Sequence, residues 1–315
     1  MICPTQRMRS VMPLLTLLAL LAACGSPPVG PAQPAPGAGA QKTIVVTYSI
    51  LGAVVKDLVG GAAQVVVAMP NGQDPHEWEP SAKDIEALMK ADLIVQNGLG
   101  LEGGMEKTLA QARDAGVRIF TASEHITIRK VGAGEGLPSG DPDQAAGADD
   151  PHLWMDPLAM RDVAAALAPQ LKADLGIDVG ARAASLAARL DALNAEIAAE
   201  VAKLPAASRK LVTGHESLGY FAQRYGFTLV GAIIPAISSQ ASVSASDLAK
   251  LKGLIAQNQV QAIFSELGTP PQVAQVVGQE TGARVITLAT HTLPDDGSYA
   301  TFMRQLASVI VGGLA

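Results

Sequence analysis

The chain has 315 residues, is 49% hydrophobic but only 3% aromatic, and carries a formal net charge of −6. That length suits one large domain or two medium ones, with Ala, Val, Leu and Ile filling the core. An acidic balance without a basic stripe argues against a nucleic-acid partner.

Arg7 and Arg9 precede the apolar run "VMPLLTLLALLAA" and Cys24. The run is too short to span a bilayer and reads as an export signal over residues 1–23. "LAAC" (Leu21–Cys24) resembles the bacterial lipobox, which predicts cleavage and lipidation at Cys24. Cys3 would leave with the signal, so no disulfide and no thiolate metal site is expected. Losing Arg7 and Arg9 would take the charge from −6 to −8. Residues 24–42, rich in Pro, Gly and Ala, read as a flexible tether. Lipid, tether and globular body together predict an extracytoplasmic protein anchored to a bacterial membrane, in a periplasm or at the cell surface.

From Thr43 strands alternate with helices. "TIVVTYSI" reads as a buried strand and "LGAVVKDLVGG" as a helix closed by Gly60 and Gly61. "AQVVVAMP" is a strand. "SAKDIEALMKA" is a helix with Ser81 as cap and Asp84 three residues on. "DLIVQNG", "GMEKTLAQAR" and "VRIFTAS" continue as strand, helix and strand. The alternation implies parallel βαβ units. Residues 131–150, "VGAGEGLPSGDPDQAAGADD", have no period and read as an exposed mobile loop. A helix over "PLAMRDVAAALAPQLKADL" follows.

Leu186, Leu190, Leu193, Ile197 and Val201 recur at three and four, predicting one long helix. A second alternating set runs from "KLVTGH" to a last helix starting near 298. The expected architecture is α/β, with two Rossmann-like lobes of parallel sheet (43–178 and 205–315). One long rigid helix over 179–204 joins them, and a ligand site occupies the cleft between them. No phosphate-cradling glycine motif is present.

The chain has 5 His. Four of them, His76, His152, His215 and His291, sit where a strand or loop ends. Ligands of open α/β sheets bind beyond the carboxyl ends of strands, so two histidines from each lobe can face one cleft. His125 is expected at the surface. Asp74–Trp78 (DPHEW) and Asp150–Trp154 (DPHLW) are two versions of one box. Pro75 and Pro151 stiffen each turn, and Trp78 and Trp154 can wall the imidazole from solvent. Imidazole donors without thiolate point to Zn²⁺, with Cu²⁺, Ni²⁺ and Co²⁺ open on affinity alone. Mn²⁺, Mg²⁺ and Ca²⁺ prefer oxygen donors. Four protein ligands leave no place for catalytic water, favouring binding over hydrolysis. A zinc hydrolase using Glu216 or Glu266 as base is the competing reading, but no H-E-x-x-H helix supports it.

"NGQDPHEWEPSAKDIEALMKADLIVQNGLGLE", "DPHLWMDP" and "VTGHESLGYFAQRYG" resemble the zinc/manganese-type solute-binding proteins of bacterial ABC transporters, from Thr43 to the end of the chain. The resemblance implies no enzyme, but a monomeric carrier with one metal in the cleft and a membrane permease as partner. A role as a surface adhesin is a further alternative. His76, His152 and His215 fall on the family's first three ligand positions. A histidine at the third leans toward zinc over manganese. Two departures stand out. The family's fourth ligand is usually Asp, whereas His291 stands here, with Glu266, Asp295 and Asp296 as alternatives. The loop over 131–150 has no His, only Glu135, Asp141, Asp143, Asp149 and Asp150, expected at most to attract cations weakly.

Overall fold

The computed structural model describes residues 41–132, 135 and 147–315. The signal over 1–23, Cys24 and nearly all of the tether lie outside the described residues, as do Asp141 and Asp143. Among the described residues no helix is long and apolar enough to cross a membrane.

The strands are short, β-branched runs. β1 (Thr43–Val46), β2 (Gln64–Val67), β3 (Leu93–Gln96) and β4 (Ile119–Thr121) form one sheet in the order β2-β1-β3-β4. β5 (Lys210–Thr213), β6 (Thr228–Ala232), β7 (Ala262–Ser265) and β8 (Arg284–Thr287) form a second in the order β6-β5-β7-β8. Every pairing is parallel. The two orders are the same, so each sheet reverses direction beside its first strand, where such sheets bind ligands.

The helices are α1 (Ser49–Val59), α2 (Ala82–Met89), α3 (Glu106–Asp114), α4 (Pro157–Leu175) and α5 (Gly180–Val201), followed by α6 (Gly219–Tyr225), α7 (Ala245–Asn258), α8 (Pro271–Thr281) and α9 (Tyr299–Leu314). The box at the start of α2 forms as read, with Ser81 and Asp84 exchanging backbone bonds. A second box, Ser244 with Asp247, opens α7. The strand read over "TIVVTYSI" is shorter than expected. It stops at Val46 because the chain turns into α1, with Tyr48 as its cap, and the two intervening side chains bond within the lobe. Thr47 Oγ1 donates to buried Glu102 at 2.8 Å, and Tyr48 OH donates to Asn97 Oδ1 at 2.9 Å.

Five layers result. Leu88, Leu109 and Ala112 of α2 and α3 pack on Val45 and Ile94, covering the outer face of the first sheet. Leu251, Ile255, Ala274 and Val277 of α7 and α8 cover Val212 and Ile263 of the second. Between the inner faces one apolar cluster runs from Ile44 and Val46 through α1, α4, α5 and α9 to Leu211 and Phe264. The 22 residues of α5 make a rod about 33 Å long. Its stripe Leu186, Leu190, Leu193, Ile197 and Val201 is buried as the spacing predicts. On its exposed side Asp191 accepts from Arg161 of α4 at 2.7 Å and Glu196 from Arg304 of α9 at 2.8 Å. This helix is therefore more than a connecting strut: it is a wall of the core that both lobes share.

Candidate metal centre

The four strand-end histidines are all buried, at 7% exposure for His76, 0% for His152 and His215, and 3% for His291. Buried imidazoles need polar partners, and here the ring nitrogens of three of them converge on one point. His152 Nε2 lies 3.3 Å from His76 Nε2 and 3.2 Å from His215 Nε2. One ring nitrogen from each of the three lies within 4.8 Å of the others. The ring of His291 stacks beside His215 at 5.7 Å between centroids and 17° between planes. Its Nε2 is buried without a partner, while Nδ1 meets Thr290 Oγ1 at 2.9 Å. The structure thus brings three histidines together and sets the fourth alongside. His125 is exposed, with its ring stacked on Phe120 at 4.5 Å.

The two boxes share a turn. Asp74 Oδ1 accepts from His76 N at 3.0 Å, and Asp150 Oδ1 accepts from His152 N at 3.0 Å. Each aspartate thereby closes an Asx turn over the proline and aims the histidine. They differ beyond it. Asp150 Oδ1 also meets His152 Nδ1 at 2.9 Å, which fixes the proton there and leaves the Nε2 lone pair facing the cluster. Asp74 Oδ2 instead accepts from Ser239 Oγ of the second lobe at 2.7 Å. Gln240 Nε2 donates to His76 O at 2.9 Å, and Asn71 trades two bonds with Leu293 at 2.9 and 2.8 Å, so the first box is tied across the cleft.

The tryptophans diverge as well. Trp78 is half-buried, whereas Trp154 is fully buried. The Trp154 ring lies 5.3 Å from His152 and 5.5 Å from His291. Trp154 Nε1 donates to Thr290 O at 3.0 Å, and Tyr299 OH donates to Trp154 O at 2.8 Å. One indole therefore links the second and fourth histidines. Asn97 Nδ2 holds the same box through Pro151 O at 2.9 Å.

Glu266 is buried behind His215. Its Oε1 accepts from His215 N at 3.0 Å and its Oε2 from Ser217 Oγ at 2.7 Å. Oε1 also lies 3.2 Å from His215 Nδ1, off the line of a straight hydrogen bond. Gly214 makes this approach feasible, since a Cβ there would collide with Thr269 Oγ1 and Glu266 Cγ. Asp295 and Asp296 are exposed; Asp296 is engaged by Ser298 N and Thr301 Oγ1 at the start of α9.

Burial disfavours charge at this centre, and the residues divide accordingly. Burial, reinforced by the neighbouring imidazoles, holds His76 well below the ordinary histidine value. Burial and then His215 bring His291 down to about 4. Burial opposes charge on His215 too, but the Glu266 carboxylate outweighs it and raises that group. In return, against its own burial, Glu266 is held at about 2 by His215 and then His291. Glu216 rises to about 7 through burial, then Asp150 and Glu135.

The reading of 131–150 as an exposed loop is corrected at Asp150, while residues 133–134 and 136–146 lie outside the described residues. The segment's described ends pair in antiparallel fashion through Lys130 and Asp149. Glu135 and Asp150 both pair with Arg129, and Asp149 with Lys130. Asp150 is only 1% exposed, so it belongs to the site rather than to an exposed acidic loop. Three of the five acids expected to attract cations already have partners.

The family described as "ZnuA: Zinc-uptake complex component A periplasmic" matches residues 44–313. The chain belongs to this family. Among ZnuA-family relatives, it is 29% identical over 287 residues to the zinc-binding protein TroA of Treponema pallidum, covering 86% of this chain and 88% of that one. It is 25% identical over 311 residues to the manganese-binding lipoprotein MntA of Halalkalibacterium halodurans, covering 96% and 97%. The solved structure of the periplasmic zinc-binding protein TroA from Treponema pallidum superposes with a TM-score of 0.73 at 28% identity, covering 87% of this chain and 99% of that one. The two-lobed parallel α/β fold is thus the fold of its family. Sequence reasoning missed Asp74 and Asp150 as aiming residues and Trp154 as a link between histidines. The repeated Asp at the head of each box was the available signal for the first two.

Proposed function

We propose that this ZnuA-family chain captures Zn²⁺ outside the cytoplasm and delivers it to an ABC permease, held at the membrane as a monomer by lipidated Cys24. His76, His152 and His215 are the ligands, and His291 completes the set. The carrying observation is the Nε2 spacing of 3.2 and 3.3 Å around His152. A tetrahedral ion bound to nitrogen at about 2.0–2.1 Å requires an edge of about 3.3–3.4 Å between donors. The three buried nitrogens and the open Nε2 of His291 make an all-imidazole set, which suits zinc better than manganese. Glu266, one of the two bases considered for a hydrolase beside Glu216, has both oxygens engaged by His215 and Ser217, which supports binding rather than hydrolysis through that residue.

The test is a chelator-competition titration of the purified protein with Zn²⁺, Mn²⁺ and Fe²⁺. One zinc per chain, bound orders of magnitude more tightly than manganese, is expected. Manganese bound as tightly as zinc would overturn the zinc assignment. Absence of binding to all three would overturn the carrier.

A further inference from the structure

Arg129 lies outside the proposed ligand set, yet it is built into it. Its side chain is 5% exposed, and Nη1 donates to Asp150 Oδ2 at 3.0 Å. The other oxygen of that carboxylate holds His152 by its Nδ1 at 2.9 Å and its backbone N at 3.0 Å. A continuous chain therefore runs from the guanidinium to the ring that sits between the other two nitrogens. The backbone closes it: Asp150 N donates to Arg129 O at 2.9 Å.

The second lobe presses on the same pair. Arg129 N donates to Tyr220 OH of α6 at 3.0 Å. Gly219, the first residue of α6, has no room for a Cβ, which would collide with Asp150 Oδ2 and Arg129 Nη1. A carboxylate this buried needs its second oxygen compensated, and the planar guanidinium fork fixes direction as well as charge.

We propose that Arg129 is a positioning residue for metal capture. It locks the Asp150 carboxylate, and through it the ring of His152, when α6 is seated against the ion pair, so that lobe contact and ligand aim are one event. This rests on the reading of His152 as a ligand. Because His152 Nε2 is close to both His76 and His215, a turn of this ring disrupts two contacts at once.

The variants are Arg129→Met, Arg129→Lys, Asp150→Asn, the Arg129→Met/Asp150→Asn double, and Gly219→Ala, with His152→Ala as control. Zinc affinity is read by chelator competition, ligand geometry by the visible spectrum of the Co²⁺-loaded protein, and folding by circular dichroism. Arg129→Met is expected to weaken zinc about tenfold, the lower end for groups that orient a ligand, and to alter the Co²⁺ bands. Arg129→Lys should recover part of the loss. The double variant should bind no worse than Asp150→Asn alone, since Arg129 acts through that carboxylate. Gly219→Ala should reproduce the loss from the other lobe with every charge in place.

Wild-type affinity with an unchanged Co²⁺ spectrum in Arg129→Met overturns the proposal, and so do losses that multiply in the double variant. Should Arg129→Met fail to fold, wild-type affinity in folded Arg129→Lys and Gly219→Ala overturns it equally. If His152→Ala itself binds zinc like the wild type, the ligand set is wrong. That outcome is distinct from an idle Arg129 in a protein that needs His152.

Discussion

Replacing Glu266 by Gln removes one charge and almost no volume. The carboxylate now accepts from His215 N at 3.0 Å and from Ser217 Oγ at 2.7 Å, and faces His215 Nδ1 at 3.2 Å. An amide offers one acceptor oxygen, so one of these contacts must invert or break. A carboxylate that orients a ligating histidine is worth about 10–100-fold in metal affinity, or about 1.4–2.8 kcal/mol. Glu266→Gln should therefore bind zinc about 10–100-fold more weakly at pH 8 in a chelator-competition assay.

The pH dependence makes the prediction sharper. Glu266 raises His215, which must lose its proton before it can bind metal. Wild-type affinity should then fall about tenfold per pH unit as pH drops below that raised value, one proton competing with one ion. His76 and His291 are held low and add no proton competition near neutrality. In the Gln variant burial, the largest influence on His215, is opposed only by the lesser pull of Asp74 and Asp150, and burial lowers it. Proton competition then moves to lower pH, so the deficit should shrink as the solution is acidified. An equal deficit at pH 8 and pH 6 would refute the coupling through His215. No deficit at pH 8 would refute the role of Glu266 in holding a ligand.

Further outcomes follow from the same geometry. His152→Ala should lose more than about 100-fold in zinc affinity, beyond the range for an orienting partner, and His291→Ala should lose less; equal zinc content and affinity in His291→Ala and wild type would remove His291 from the site. Glu216 rises from 4.5 to about 7 in the fold, so its ionisation costs stability that accumulates between those two values and is complete above the higher one. Glu216→Gln should accordingly raise the unfolding free energy by up to about 3 kcal/mol at pH 8 and by little near pH 4.5, read from urea midpoints; a gain independent of pH would contradict this. Trp154→Phe leaves the buried Thr290 carbonyl without its 3.0 Å partner and should cost about 1–3 kcal/mol in thermal or urea unfolding. Unchanged stability would show that the indole does not link the two histidine segments.

How much was readable depended on whether the cause was local. The central strands were legible because strands covered on both faces are continuous β-branched runs, as in Thr43–Val46. The long helix was legible because Leu186 through Val201 repeat at helical spacing, but its partners were not. Nothing in the spacing says that Asp191 meets Arg161 on one side and Glu196 meets Arg304 on the other. Trp154 and Thr290 are 136 residues apart, and Asn71 and Leu293 are 222 apart. Asp150 was misread for the same reason. Composition marks a Gly-, Pro- and Asp-rich segment as exposed, while the burial of Asp150 depends on Arg129, just before that segment, and on α6.

The paired boxes separate these two kinds of information. Between DPHEW and DPHLW one position differs, and it follows the Asp-Pro-His stretch that the Asx turn closes: Glu77 is exposed and Leu153 is buried. The shared Asp, Pro and His encode the Asx turn, the stiffened backbone and the aim of the imidazole, all of which a short sequence can specify. What distinguishes the two aspartates is the second oxygen, which meets Ser239 in one box and Arg129 in the other. A neutral hydroxyl leaves Asp74 as a negative group that acts on His215 and His291. A guanidinium braces Asp150 as a rigid support for His152, and Asp150 too raises His215. Local sequence therefore specifies the turn that presents His76 and His152, and distant residues specify what braces each aspartate behind it, a support on which metal affinity depends.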